Sequence, residues 1–164
     1  MAQAFPSLNG IAQSWADIVV TMPLHDGPLL EMIDISDINH ESMVEVGEQR
    51  GASGGRVLKR TRGALSDSCG MTLYASGADR FEAALAAVAP VRGDERLIRL
   101  VHFDIIVQHT PPNSTDIRSI EMLGVCMLGR GETYSEGTDA DKCDVTLSVA
   151  KIVKVVNGTR IVLL

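Results

Sequence analysis

Apolar and polar side chains alternate along most of this chain, and a two-residue repeat is what a β-strand with one face on a core produces. Ile18, Val20 and Met22 begin the pattern just after Trp15. Residues 30–38 are apolar with Glu31, Asp34 and Asp37 interleaved. Cys69, Met71, Leu73 and Ala75 alternate with Ser68, Gly70, Thr72 and Tyr74. Val101, Phe103, Ile105 and Val107 alternate with His102, Asp104, Ile106 and Gln108, and Cys143, Val145, Leu147 and Val149 with Asp144, Thr146 and Ser148. Near the end, Asn157-Gly158 sits between two Val/Ile-rich runs, the dipeptide that a two-residue hairpin turn demands.

The repeat changes once. Residues 78–89 carry Phe81, Leu85 and Val88 at helical spacing in an alanine-rich background. Ser76 is the expected cap and Pro90 the expected stop. Such a narrow apolar stripe packs on a sheet edge or an open barrel end. The fold class that follows is mainly β: an antiparallel sandwich or split barrel of about seven or eight strands, with one α-helix and a long inter-strand loop. Pro23 and Asp26-Gly27-Pro28 turn the first two strands into a hairpin, while residues 110–114 and 129–141 read as surface connections. At 164 residues, positions 1–164 make one domain.

Charge is distributed unevenly. Fifteen Lys and Arg against 21 Asp and Glu give −6. Residues 47–63 alone hold Arg50, Arg56, Lys59, Arg60 and Arg62 against Glu48, a net +4, which leaves −10 on the remainder. This stretch is rich in glycine and reads as an extended basic loop, a length that in compact domains is usually functional or disordered. Three uses are open to it: docking on an acidic surface of another copy, plain solvation, or contact with phosphates without aromatics to stack bases. An acidic chain with six aromatic residues is poorly suited to wrapping nucleic acid over its whole surface.

Motifs for chemistry are missing. Residues 51–56 lack the Gly-Lys-Ser/Thr ending of a phosphate loop. His102 and Asp104 share a strand face, yet no nucleophile in a recognisable context accompanies them, so a small hydrolase is a weak rival. Asp139-x-Asp141-x-x-Asp144 lacks the glycine and glutamate of a calcium loop. Cys69, Cys126 and Cys143 are an odd set without Cys-x-x-Cys spacing; they read as small buried hydrophobes in a reducing compartment. No apolar run reaches membrane-span length, and the first six residues show no signal-peptide pattern. No cofactor, metal or membrane contact is expected.

Taken in order, these features resemble the tail tube (major tail) proteins of long-tailed bacteriophages and the related tubes of contractile injection systems. The likeness runs through Leu8-Asn9-Gly10, Ser14-Trp15-Ala16-Asp17-Ile18, the arm ending in Arg60-Thr61-Arg62-Gly63, Gly70-Met71-Thr72-Leu73-Tyr74 and the helix over 78–89. It continues through Phe103-Asp104-Ile105-Ile106-Val107-Gln108, Leu123-Gly124-Val125, Ser135-Glu136-Gly137-Thr138-Asp139, Asp144-Val145-Thr146-Leu147-Ser148 and Asn157-Gly158. The resemblance implies a non-catalytic virion subunit assembled in the bacterial host cytoplasm. Its hexameric rings would stack into a tube that conveys genome DNA, or protein cargo in an injection system. It implies self-association, a tape measure protein, and baseplate or distal tail and terminator proteins as partners. On that reading Arg50, Arg56, Lys59, Arg60 and Arg62 contact a neighbouring subunit or ring. Glu31, Asp34, Asp37 and Asp104 are the candidates for an acidic lumen that repels DNA phosphates. An oligonucleotide- or oligosaccharide-binding barrel is the further rival, disfavoured by the scarcity of aromatics.

Overall fold

The computed structural model describes residues 18–25, 27–31, 34–50, 57–109, 117–133 and 141–162. Its strands are β1 (Ile18–Pro23), β2 (Leu29–Glu31), β3 (Ile35–Arg50) and β4 (Val57–Tyr74), followed by the helix α1 (Ala75–Val88). A two-residue ribbon, β5 (Val91–Arg92) and β6 (Glu95–Arg96), and a 3₁₀ turn at Ile98–Leu100 lead into β7 (Phe103–His109) and β8 (Arg118–Thr133). The chain continues with β9 (Lys142–Ser148), β10 (Lys151–Val156) and β11 (Thr159–Val162). The expected class holds: mainly β and antiparallel, with one α-helix and no closed barrel among the described residues. The count exceeds seven or eight because short pieces such as β2, β5 and β6 carry no readable alternation of their own.

Two layers share one long strand. The first half of β8 pairs with β7 on one side and β10 on the other, within a sheet that runs β2, β1, β7, β8, β10, β11. The second half of β8 pairs with β9, in a sheet that runs β8, β9, β4, β3. The passage from one layer to the other falls at Leu123 and Gly124, where two residues of β8 oppose Asp104 of β7. Gly124 takes φ +63°, and a Cβ there would lie 3.0 Å from Ala150 Cβ, so glycine answers both demands. Asp104 Oδ1 accepts the freed Gly124 N–H at 2.8 Å.

Between the layers lies one core. Val20, Met22, Phe103, Ile105, Met122 and Ile152 enter from the first sheet, and Met71, Leu73, Cys143, Val145 and Leu147 from the second. The helix closes one end with Ala78, Phe81 and Leu85, and Phe81 meets Phe103 edge to face, 5.5 Å between ring centres. It starts at Ala75 rather than 78, straight off β4, so Ser76 lies inside it and is not the cap. Two backbone bonds anchor that junction instead: Tyr74 N–H to Asp34 O (3.0 Å) and Ala75 N–H to Asp141 O (3.1 Å). Ala89 is extended, as a residue before proline must be. The Asn157-Gly158 turn is present, both residues at positive φ.

The alternation continues into the cysteines. Cys69 and Cys143 are buried and Cys126 is half-buried, all three as free thiols. Burial pushes the Cys69 thiol from 9.0 up to about 12. The folded state therefore holds this proton between those values while the unfolded chain releases it. The stabilisation is complete below pH 9 and is lost as pH rises toward 12. Denaturant titrations of wild type and Cys69→Ala should thus diverge above pH 9, with the wild type losing up to about 1.4 kcal/mol more per pH unit. Parallel curves would show that the thiol ionises as freely in the fold as outside it.

Candidate assembly interface

The basic stretch at 47–63 is not a loop along its described length. Residues 47–50 complete β3 and 57–63 begin β4, paired as Gly47–Thr61, Glu48–Arg60, Gln49–Lys59 and Arg50–Val57. The tip, 51–56, with Arg56, lies outside the described residues. Glycine content concealed the strands from sequence reading. What remains is one hairpin of 16- and 18-residue strands, far beyond the usual five or six, whose distal half leaves the core. Met43, Val46 and Leu65 are each more than half exposed there.

Cross-strand register places the cations. Arg60, itself 71% exposed, lies 3.5 Å from its register partner Glu48, a surface ion pair worth roughly 0–1 kcal/mol. Lys59 is exposed opposite Gln49, and Arg62 pairs in register with Val46. Between Val44 and Val46 the register slips, so that three steps of β4 match two of β3. Gly63 sits at this slip, where a Cβ would come within 2.7 Å of Glu45 O.

The outer face of the second sheet is a grid of small polar residues. Its rows cross all four strands: Asp37–Thr72–Asp144–Gly131, then Asn39–Gly70–Thr146–Gly129, then Glu41–Ser68–Ser148–Cys126. Thr72 Oγ1 donates to Asp144 Oδ1 at 2.7 Å. Asn39 leans over Gly70, its Oδ1 3.0 Å from where a Cβ would stand. Three carboxylates, Asp37, Glu41 and Asp144, mark the face, and Lys142 borders it beside the Tyr74 ring. On the opposite face the same strands bury Met71, Leu73, Cys143 and Val145.

The four acids chosen from sequence do not gather in one place. Only Asp37 lies on this grid. Glu31 is exposed on β2, opposite Thr21, at the margin of the other sheet. Asp34 docks the helix: it faces Arg80 at 3.3 Å, and its Cβ is 2.5 Å from where a Gly77 Cβ would be. Asp104 holds the β8 bend and receives His25 Nε2 at 3.3 Å, while its sequence neighbour His102 is exposed. Glu41 and Asp144 were missed, although the Cys143–Asp144–Val145 alternation already places Asp144 outward.

Both edges of the second sheet are open among the described residues. No described strand lies along the outer edge of β3, and β9 is the one described strand paired with β8 over Cys126–Thr133. An ion cluster stiffens the latter: Arg130 contacts both Glu82 of α1 and Glu132. Among the described residues no group of His, Cys, Asp or Glu is arranged to hold a metal ion, and no helix is long and apolar enough to cross a membrane. A cleft of about 250 Å³ lined by His25, Val88, Pro90, Leu100, Val101 and His102 lies at the far end of the helix.

The architecture is that of tail tube proteins. A chain in the anti-feeding prophage (AFP) baseplate, solved with 6-fold symmetrisation, superposes with TM-score 0.62 at 10% identity, covering 92% of this chain and 97% of that one. One in the sheath-tube complex of the extracellular contractile injection system PVC gives 0.57 at 10%, covering 88% and 91%. The SPP1 tail tube gives 0.56 at 16%, covering 87% and 78%. No protein-family model and no curated protein sequence matches the chain.

Within this fold Asp104 is a fastening rather than a surface charge. Replacing it by Ala leaves the Gly124 N–H without its acceptor, and urea unfolding should show a loss of about 1–3 kcal/mol. An unchanged midpoint would mean that water serves the bend equally well.

Proposed function

We propose that this chain is the repeating structural subunit of a tail-type tube, built from rings stacked around a channel. The observation that carries this reading is the second sheet, open at both edges among the described residues and finished on its outer face in small and acidic side chains. Head-to-tail joining of such edges around a closed ring removes every exposed strand edge of that sheet. The grid then becomes the channel wall, and Asp37, Glu41 and Asp144 give it a charge that keeps phosphates from adhering. DNA passes without sequence recognition. The 6-fold symmetry of the AFP baseplate supports a ring of six.

The hairpin is the part that reaches a neighbouring subunit or ring. Arg50, Arg56, Lys59, Arg60 and Arg62 meet the acidic body of that copy, each weakly, and repetition around the ring makes the sum sufficient. Tape measure, baseplate or distal tail and terminator proteins complete a virion tail assembled in the host cytoplasm. A contractile injection system with protein cargo is the second reading, favoured by the nearly full-length match to the AFP chain.

Negative-stain microscopy of the purified protein should show rings or tubes roughly 10 nm across, a width set by a ring of domains this size. A monodisperse monomer at high concentration would overturn the proposal. Replacing Arg56, Lys59, Arg60 and Arg62 together by Ser should leave a folded subunit that makes no long tubes; long tubes would remove the arm's role. Tubes of Asp37→Lys, Glu41→Lys, Asp144→Lys should retain nuclease-protected DNA that wild-type tubes exclude, and equal retention would refute the acidic wall.

A further inference from the structure

Glycine weakens a strand, and most described glycines here have a local reason to be present. At Gly27, Gly47, Gly63, Gly70 and Gly77 a Cβ would fall 3.0 Å or less from another atom, and Gly93, Gly124 and Gly158 have positive φ. Gly129 and Gly131 have neither: no positive φ, and nothing among the described residues within 4 Å of a built Cβ; Gly129 follows the register slip at Leu128, while Gly131 stands in regular pairing with Asp144. Both lie inside β8, on its open edge, and both point to the outer face beside Thr146 and Asp144. A strand glycine marks a bulge or a place where another backbone comes close; the slip at Leu128 accounts for neither Gly131 nor the empty space over both positions.

We propose that Gly129 and Gly131 form a bare notch that receives the outer-face side chains of β3 from a second copy. This rests on the ring reading above and assigns its seam. The second copy is indicated because β3 is, among the described residues, the other open edge of the same sheet, and its outer face carries Asp37, Asn39, Glu41 and Met43, each with a full side chain. Adjacent strands stand about 4.8 Å apart and side chains directly opposite nearly touch. Like charges directly opposite repel, and Asp144 already stands one strand in from the notch. Two bare positions keep that carboxylate a full strand away from the incoming Asp37 and Glu41, and leave room for all three to stay hydrated.

Gly129→Val and Gly131→Val test the notch. Valine suits an extended strand, and its Cβ meets nothing among the described residues within 4 Å, so circular dichroism and melting temperature should match or exceed wild type. Ring and tube yield by sedimentation and microscopy should fall at least tenfold. Folded variants that assemble like wild type overturn the notch while leaving the ring reading intact; a wild type that forms no rings overturns both. Should valine disturb the fold, Gly131→Cys decides instead, combined in turn with Asp37→Cys, Asn39→Cys or Glu41→Cys in a Cys126→Ser background. At least one pair should oxidise to a ladder of linked subunits ending at the ring number. Assembled rings that give no such ladder overturn the proposal.

Discussion

Every surface of this molecule depends on the place where β8 leaves one sheet and enters the other. A strand of 16 residues can serve two layers only if it bends, and the bend frees a backbone N–H inside the protein. Asp104 supplies the acceptor and Gly124 the backbone conformation. Because of that joint, the first half of β8 lies in the middle of one sheet and the second half forms the rim of the other. A straight β8 would leave a single layer with no enclosed core. It would also leave no separate polar face.

The core was legible in the sequence because burial on one face of a strand enforces a period of two. Val145 and Leu147 were placed correctly by that rule, and Phe81 and Leu85 by the helical one. The helix start was not. Ser76 looked like a cap, whereas the real anchors are carbonyls of Asp34 and Asp141, residues distant in sequence. The distal hairpin was misread for a related reason. Strands that leave the core have no apolar stripe to show, and their pairing is recorded only between residues far apart, such as Glu48 and Arg60. Gly129 and Gly131 suggested a loop, yet both belong to β8.

The acids divide by the same logic. Asp34 and Asp104 looked like Asp37 from the sequence, each a carboxylate in an apolar run. The fold uses Asp34 to seat the helix and Asp104 to hold the bend, and exposes Asp37 on a face with Glu41 and Asp144. Which acids share a face is decided by cross-strand register, and register is set by bulges that leave little trace in composition.

The slip at Gly63 has the character of a reading frame. On the sheet itself the even-numbered residues of β4, Ser68, Gly70 and Thr72, face outward; past the slip the odd ones, Thr61 and Lys59, take that side, and Arg60 moves to the other with Glu48. One extra residue thus reverses which parity of β4 shares a side with the acidic grid. Deleting that one residue would restore one-to-one pairing and leave Arg62 opposite Val46 and Arg60 opposite Glu48, whereas deleting two would shift β4 by one step and exchange the sides of Lys59 and Arg60. At this point the arm is therefore tolerant of losing one residue and intolerant of losing two.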